Sequence, residues 1–414
     1  MQTLLVITLT CAGISLLLTA VTHAAVARVV RRAPTLGARP PISVLKPLKG
    51  VDDELYENLV SFARQDYPNF ELLFGCEAYD DPALDVVRRL MREYPAARIR
   101  VFTGAPALGL NPKVNNLNLL AQRAAHDLVL ISDANVRVGP GYLSALAAEL
   151  GDPRVGLVSS VLVGTGEQNL GARLDNLQMN SFVVRGVCGA EALTSQPCVV
   201  GKSMLFRLTE LSRLGGFELV ANVLAEDYVL GRAFSRAGHR VALSAHAIET
   251  VSVRRSVAEF VARHVRWSQM RRRLVPCAYL LEPLQSPLPW LFLALALVAF
   301  GAPPHERAEL AVVIAAGIGL RLASDAAIVR ALRGTPLELR DYATIPLKDL
   351  VFLVIWAIGA VHSRVNWRGS RLRIGPDSRL SRAALPERAF RRWKAPAEPL
   401  RSKLRSAFAR IEPR

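Results

Sequence analysis

Hydrophobic positions follow two regimes along the chain. Residues 4–27 form an apolar run whose only conditional charge is His23, and three more apolar runs lie at about 286–302, 309–328 and 343–362. As a helix the first run would be roughly 36 Å long, against a hydrocarbon core of about 30 Å. Arg28, Arg31 and Arg32 follow it, and basic residues favour the cytosolic side of a membrane. The pattern predicts an uncleaved anchor over 1–27 with the next segment in the cytosol. A signal peptide is the rival reading, since "THAAVA" offers small residues for cleavage. Against it, no positive charge precedes the run, which is too long for a signal core. The first two C-terminal runs predict an antiparallel helical pair joined by "APPHER". The third carries Pro346, Lys348 and Asp349, so crossing, re-entry and an interfacial position stay open, and the membrane region 286–362 has two or three helices.

Between these runs, residues 36–281 alternate short apolar stretches with amphipathic ones. "ISVLKP", "FELLFGC", "RIRVF" and "DLVLISD" read as strands. "DDELYENLVSFARQ", capped by Asp52 or Asp53, "PALDVVRRLMREY", with Pro82 in its first turn, and "KVNNLNLLAQRAA" read as helices. This alternation predicts an α/β domain, a largely parallel sheet with helices on both faces. In such sheets ligands sit beyond the carboxyl ends of the strands.

Composition narrows the class. The chain is 51% hydrophobic yet carries a formal net charge of +17 with few aromatics, which suits a membrane-associated enzyme better than a secreted or disordered protein. Five scattered cysteines, none spaced as C-x-x-C, suggest neither a disulfide framework nor a zinc site, and fit a reducing cytosolic face. The segment 363–414 is a tail dense in Arg and Lys. No nucleic-acid-binding module accompanies it, so anionic lipid is the expected partner, at about 1 kcal/mol per basic residue.

Candidate chemistry stands where strands end. Lys46 and Lys49 follow the first strand, Glu77, Asp80 and Asp81 the second, and Asp133 and Asn135 the fourth, while Glu226 and Asp227 open a later helix. Asp81 before Pro82 is equally an N-cap, and Glu226 and Asp227 equally favour a helix dipole. Asp133 ends a buried strand, where a carboxylate needs a partner such as a metal or a donor. The basic stretch "EFVARHVRWSQMRRR" (259–273) places Arg263, Arg266, Trp267 and Met270 on one helical face. That face suits a diphosphate, and a basic interfacial helix on lipid is the alternative.

In order along the chain, "LKPLKGVD" (45–52), "DDPALDV" (80–86), "LNPKVNNL" (110–117), "SDANVRV" (132–138), "VGLV" (155–158), "LAEDYVLG" (224–231) and "RHVRW" (263–267) resemble the ceramide glucosyltransferases. These are family-21 glycosyltransferases with the GT-A fold, marked by a D…D…D…(Q/R)xxRW series. The resemblance covers roughly residues 40–285 and the membrane layout on both sides. It implies a mostly parallel mixed GT-A-type sheet with flanking helices, between N- and C-terminal transmembrane helices.

Residue by residue, the resemblance places Asp81 at the nucleotide, with Glu77 as a competing contact, Asp133 at the metal and diphosphate, and Asp227 as catalytic base. Arg263, Arg266 and Trp267 match the closing motif. Lys46 and Lys113 stand in matching segments and are expected near the nucleotide, with a helix-start role as the alternative for Lys113 and Asn115. Where the family has D-S-G-I-R, this chain has Asp133-Ala134-Asn135-Val136-Arg137, so Asn135 offers a metal a carbonyl oxygen and no second carboxylate is present. Cys198 lies in a matching segment and either lines the pocket or packs.

The implied reaction is inverting transfer of glucose from UDP-glucose to the hydroxyl of ceramide, with Mg²⁺ or Mn²⁺. Another UDP-sugar such as UDP-GlcNAc, or another lipid such as a hopanoid or diacylglycerol, is the alternative within the class. A non-catalytic membrane scaffold is the rival outside it, and nucleic acid is not an expected partner.

Overall fold

The computed structural model describes residues 1–32, 37–194, 198–367 and 370–382. The expected domain start at residue 36 and the tail beyond Arg382 lie outside the described residues. Eight strands form the central sheet: β1 (Ile42–Leu48), β2 (Phe70–Cys76), β3 (Ile99–Thr103), β4 (Leu128–Ile131), β5 (Val136–Arg137), β6 (Val155–Thr165), β7 (Met204–Arg207) and β8 (Arg240–Val251). Their order is β3-β2-β1-β4-β7-β6-β8-β5. β3, β2, β1 and β4 run parallel, as do β6 and β8, while β7 and β5 pair antiparallel with their neighbours.

The near-continuous apolar character of the inner strands follows from burial on both faces. Leu72 and Phe74 of β2 and Leu128 and Leu130 of β4 enter one core, while Leu73, Val129 and Ile131 enter the other. Helices Leu55–Ala63 and Ala83–Glu93 cover the first face and Pro112–Arg123 the second. The expected Asp52 or Asp53 cap is corrected. Glu54 holds the cap position at φ 50° with no side-chain capping bond. Asp53 Oδ2 instead accepts from the N–H groups of Val253 and Arg254 at 2.7 and 3.2 Å, satisfying two amides just past the end of β8.

Three described helices, Gln2–Val30, Pro304–Arg333 and Leu339–Val361, are long and apolar enough to cross a membrane, and Pro287–Gly301 is a shorter apolar helix beside them. Small residues of the first helix, among them Thr8, Ala12 and Ser15, are buried against its neighbours. The third C-terminal run is one continuous helix through Pro346, so the chain does not turn back there. Its charges face inward: Lys348 pairs with Asp349 at 2.5 Å and donates to Ser181 Oγ at 3.0 Å. Nearby, Asp325 accepts from Arg321 and from Arg185, the latter at 2.9 Å. This buried cluster ties the membrane helices to the helical segment Leu170–Leu193. Asp325→Ala removes the carboxylate that two buried guanidiniums share, leaving Arg321 with Asp349 at 3.7 Å and Arg185 with the neutral acceptors Thr19 O and Ser324 Oγ, and is expected to cost about 3 kcal/mol. Thermal unfolding in detergent checks this, and an unchanged midpoint would mean that the cluster does not hold the helices together.

Part of the segment read as a basic tail is folded. β9 (Arg364–Trp367), β10 (Ser370–Ile374) and β11 (Leu380–Arg382) make a small antiparallel sheet. Its Val365, Leu372, Ile374 and Leu380 bury against Leu224. Leu224 N–H donates to Ser378 O at 3.0 Å and Leu380 N–H to Asn222 O at 2.7 Å. The sheet therefore braces the segment leading into Glu226 and Asp227.

Candidate active site

Three short segments beyond the strand ends converge on one lysine. Asp133 and Asn135 follow β4, Gly201 and Lys202 precede β7, and Glu226 and Asp227 open the helix Glu226–Arg236. Lys113 reaches between them from the first turn of Pro112–Arg123. That helix starts where it does because Asn111 accepts from the Lys113 and Val114 amides ahead of a proline at the first position. Lys113 Nζ lies 2.8 Å from Asp133 Oδ1 and 2.9 Å from Glu226 Oε1, and donates to Gly201 O at 3.1 Å. Burial would lower the pKa of this amine, but Asp133 and Glu226 outweigh burial and raise it.

Asp227 is held by backbone amides. Gly201 N–H donates to its Oδ2 at 2.6 Å and Tyr228 N–H to its Oδ1 at 2.8 Å. Burial first, and Glu226 second, push its carboxyl up to about 6 against the opposing pull of Lys113 and the two amides. A carboxylate poised there is well matched to taking a proton near neutrality. Gly201 is required by this contact. A Cβ at Gly201 would lie 3.0 Å from Asp227 Oδ2 and 3.2 Å from Lys113 Nζ. Gly201→Ala is expected to cut turnover by about tenfold to a hundredfold through misplacement of Asp227, with little change in melting temperature. Kinetics beside a thermal scan check this.

A second lysine faces Asp133 from the other side. Lys202 Nζ donates to Asn135 Oδ1 at 2.6 Å and lies 3.6 Å from Asp133 Oδ2. Burial first, then Arg263 and Lys113, bring its pKa down to about 8 despite Asp133. Among the described residues no group of three or more His, Cys, Asp or Glu is placed to hold a metal ion. Even so, the two oxygens that converge on Lys202 suit a hard cation, whose other ligands would come from phosphate oxygens and water.

These residues line a cavity of about 740 Å³. Arg263, Arg266, Trp267 and Met270 all line it too, as their shared helical face predicts, on the helix Val257–Leu274. A capping box between Ser256 and Glu259 starts that helix. Arg263 stacks over Trp267 at 4.7 Å and donates to Asp175 at 3.1 Å. Asp175 is fully buried and also takes Arg255 and His264 at 3.3 and 2.9 Å. Burial brings the His264 pKa down to about 4, though Asp175 opposes it. Part of the remaining wall is apolar, with Phe182, Val183, Val187 and Leu274. Phe182 also packs on Phe352 of the Leu339–Val361 helix at 4.5 Å, so this wall adjoins the membrane region.

Lys46, Glu77, Asp80, Asp81 and Asn115 stand off the cavity wall. Lys46 is fully buried beneath Asp133, donating to its carbonyl at 3.0 Å and to Ser132 Oγ at 3.2 Å, with Nζ 3.5 Å from the centre of the Phe62 ring. Burial drives its pKa well down, against the pull of Asp133. Glu77 is exposed, 3.8 Å from Lys49. Asp81 accepts from Gly50 N–H at 2.9 Å and from Ala83 N–H at 2.9 Å, so it serves the helix start and holds the preceding loop. From that loop Lys49 and Asp52 do line the cavity. Asn115 is turned away, accepting from the amides of Leu108 and Gly109. Cys198 lines the cavity, and burial pushes its thiol up to about 11. Sequence reasoning missed Lys202 and Asp175. Lys202 shares the matching segment of Cys198 without carrying one of the family's marked residues, Asp175 sits in no matching motif, and only folding brings them to Asp133 and Arg263.

The ordered carboxylates and the basic Trp-bearing helix meeting in one cavity make comparison with known proteins informative. The sequence profile of Glycosyl transferase family 21 matches residues 5–380. The chain belongs to glycosyl transferase family 21. Its match takes in the apolar N-terminal helix, the sheet domain and the C-terminal helices. Ceramide glucosyltransferase 3 of Caenorhabditis elegans is 31% identical over 251 residues, covering 60% of this chain and 54% of that protein. Ceramide glucosyltransferase of Komagataella phaffii is 25% identical over 427 aligned residues, covering 81% of this chain and 82% of that protein. The chain thus spans about half the length of the C. elegans relative. Among solved structures, the mannosyltransferase PcManGT from Pyrobaculum calidifontis, in complex with GDP-Man and Mn²⁺, superposes with a TM-score of 0.54. It is 20% identical, and the match covers 86% of this chain and 99% of that one. That likeness concerns the fold: a GT-A-type, mostly parallel mixed sheet with flanking helices.

Proposed function

We propose that this family-21 chain is a membrane-bound, inverting glycosyltransferase that moves glucose from UDP-glucose to the hydroxyl of a ceramide. The observation that carries the reading is a single cavity in which Asp227, with its raised pKa, stands among cationic side chains and beside an apolar wall adjoining the membrane helices. Relatives named ceramide glucosyltransferase support the choice of lipid and sugar. Arg28, Arg31 and Arg32 after the first apolar helix support a catalytic domain on the cytosolic side.

In this reading the acceptor oxygen attacks the anomeric carbon while the bond from that carbon to the diphosphate oxygen breaks. The hydroxyl proton passes to Asp227, and UDP departs. One base suffices for a single in-line displacement, whereas a covalent route needs a second carboxylate as nucleophile. Glu226 is the only nearby one on that helix, and Lys113 and Asn111 already engage it. Arg263 and Arg266 face the charge that grows on the diphosphate, and Asp175 fixes Arg263 in place. A divalent cation, Mg²⁺ or Mn²⁺, held by Asp133 and Asn135 would add positive charge there. Asp81 and Glu77 act on the nucleotide only through the Gly50 loop, with Lys49 and Asp52 as the direct contacts.

The test offers the detergent-purified chain UDP-glucose or UDP-GlcNAc against ceramide, diacylglycerol and a hopanoid polyol, with products read by mass spectrometry. Hexosylceramide formed from UDP-glucose is the expected product. Transfer to another lipid would discard ceramide, and no transfer despite UDP binding would favour a membrane scaffold. The apolar wall has its own test. Gly186 lines the cavity, and a Cβ there meets nothing within 4 Å. Gly186→Leu is therefore expected to raise the KM for the lipid by about tenfold and leave the KM for the sugar nucleotide unchanged. Equal changes in both would place the lipid elsewhere.

A further inference from the structure

We propose that Lys202 is a stand-in cation, holding the place of the divalent ion between Asp133 and Asn135 until a nucleoside diphosphate arrives, so that metal binds more tightly with nucleotide than without it. The proposal rests on the donor reading above and deepens it. Its basis is the geometry around Asp133, the one carboxylate of its loop. One oxygen is 2.8 Å from Lys113 Nζ and the other 3.6 Å from Lys202 Nζ. Asn135 Oδ1, the second oxygen available to a metal, accepts from the same Lys202 Nζ at 2.6 Å. Lys46 closes the site from below through the Asp133 carbonyl. A divalent ion entering alone would meet Lys113 at one oxygen of Asp133 and Lys202 at the other, at distances where like charges repel strongly.

A diphosphate changes this balance in two ways. Its oxygens accept charge-assisted bonds from an ammonium, so Lys202 can leave Asp133 without losing its partner. They also complete the oxygen shell that a divalent ion requires and that Asp133 and Asn135 cannot supply by themselves. The exchange needs only side-chain rotation. The Lys202 N–H stays bonded to Val200 O at 2.7 Å, and a lysine carries its charge on a flexible four-carbon stem. Lys202 then becomes a diphosphate contact in the loaded enzyme, next in sequence to the Gly201 amide that holds Asp227.

The test titrates the full chain in detergent with Mn²⁺, following loss of the free-ion electron paramagnetic resonance signal, with and without UDP. Binding of radiolabelled UDP in EDTA is measured separately. Wild type is expected to take up Mn²⁺ at least about tenfold more tightly with UDP than without it. Lys202→Met and Lys202→Gln are expected to bind Mn²⁺ without UDP about tenfold more tightly than wild type, and Asp133→Asn to lose the site in either condition. Equal Mn²⁺ affinity of wild type with and without UDP would overturn the proposal. So would unchanged nucleotide-free affinity in both Lys202 variants. Failure of UDP to bind would sink the donor reading instead. The stand-in role would then be decided by the nucleotide-free comparison alone, where a tighter Lys202 variant supports it and an unchanged one refutes it.

Discussion

Asp227→Asn is expected to cut transfer by about 10²–10⁴-fold while leaving UDP binding in place. An asparagine keeps an acceptor for one of the Gly201 and Tyr228 amides and loses the other bond together with the proposed proton acceptor. The same carboxyl sets a pH limb. Its pKa is about 6 and only the ionised form takes a proton, so wild-type turnover should fall as pH drops through about 6. Stability should respond with the opposite sense. Folding raises this pKa from an ordinary 3.8, so between 3.8 and about 6 the folded chain binds more protons than the unfolded one. Stability from this group is therefore lost as pH rises through that window. Asp227→Asn removes this pH-dependent cost, so its stability relative to wild type should be greater at pH 7 than at pH 4. A relative stability that is the same at both pH values would show that folding does not raise this pKa, and undiminished turnover would remove Asp227 as the base.

Lys113→Met is expected to be the other severe lesion. Its ammonium bridges Asp133 and Glu226 at 2.8 and 2.9 Å and bears on Asp227 as well. Without it, Glu226 and Asp227 lose this cation while Lys202 stays 3.6 Å from Asp133, and breaking such a pair costs about 3–5 kcal/mol. The base should then hold its proton more tightly, moving the acid limb of the pH profile to higher pH and lowering turnover at pH 7 by about a hundredfold. The pH profile and a thermal scan together check this. A lost melting midpoint with an unmoved acid limb would confine Lys113 to a structural role.

The first four strands and the helices between them were legible because short, largely apolar stretches alternate there with amphipathic ones, whereas the expected Asp52 or Asp53 cap gives way to Glu54. The face shared by Arg263, Arg266, Trp267 and Met270 was legible for the same reason, since helical spacing is a local property. What escaped were contacts made only by folding. Asp175 reaches Arg263 and His264 from a distant helix, and Lys202 reaches Asn135 across the sheet end. Asp53 looked like a cap but binds amides about 200 residues away. The β9–β11 sheet was hidden because its few apolar residues are spaced among arginines. Lys348 and Asp349 read as obstacles to a membrane helix because their buried partners, on the same and other helices, cannot be seen in one run.

The most direct measurement of the central claim is the anomeric configuration of the lipid product formed from an α-linked UDP-sugar, read by NMR before any secondary transfer. A single displacement with Asp227 as the only base predicts a β-linked glycolipid, formed by wild type and lost in Asp227→Asn. An α-linked product would contradict it, requiring a second nucleophile or a front-face route for which this cavity offers no group in the assigned roles.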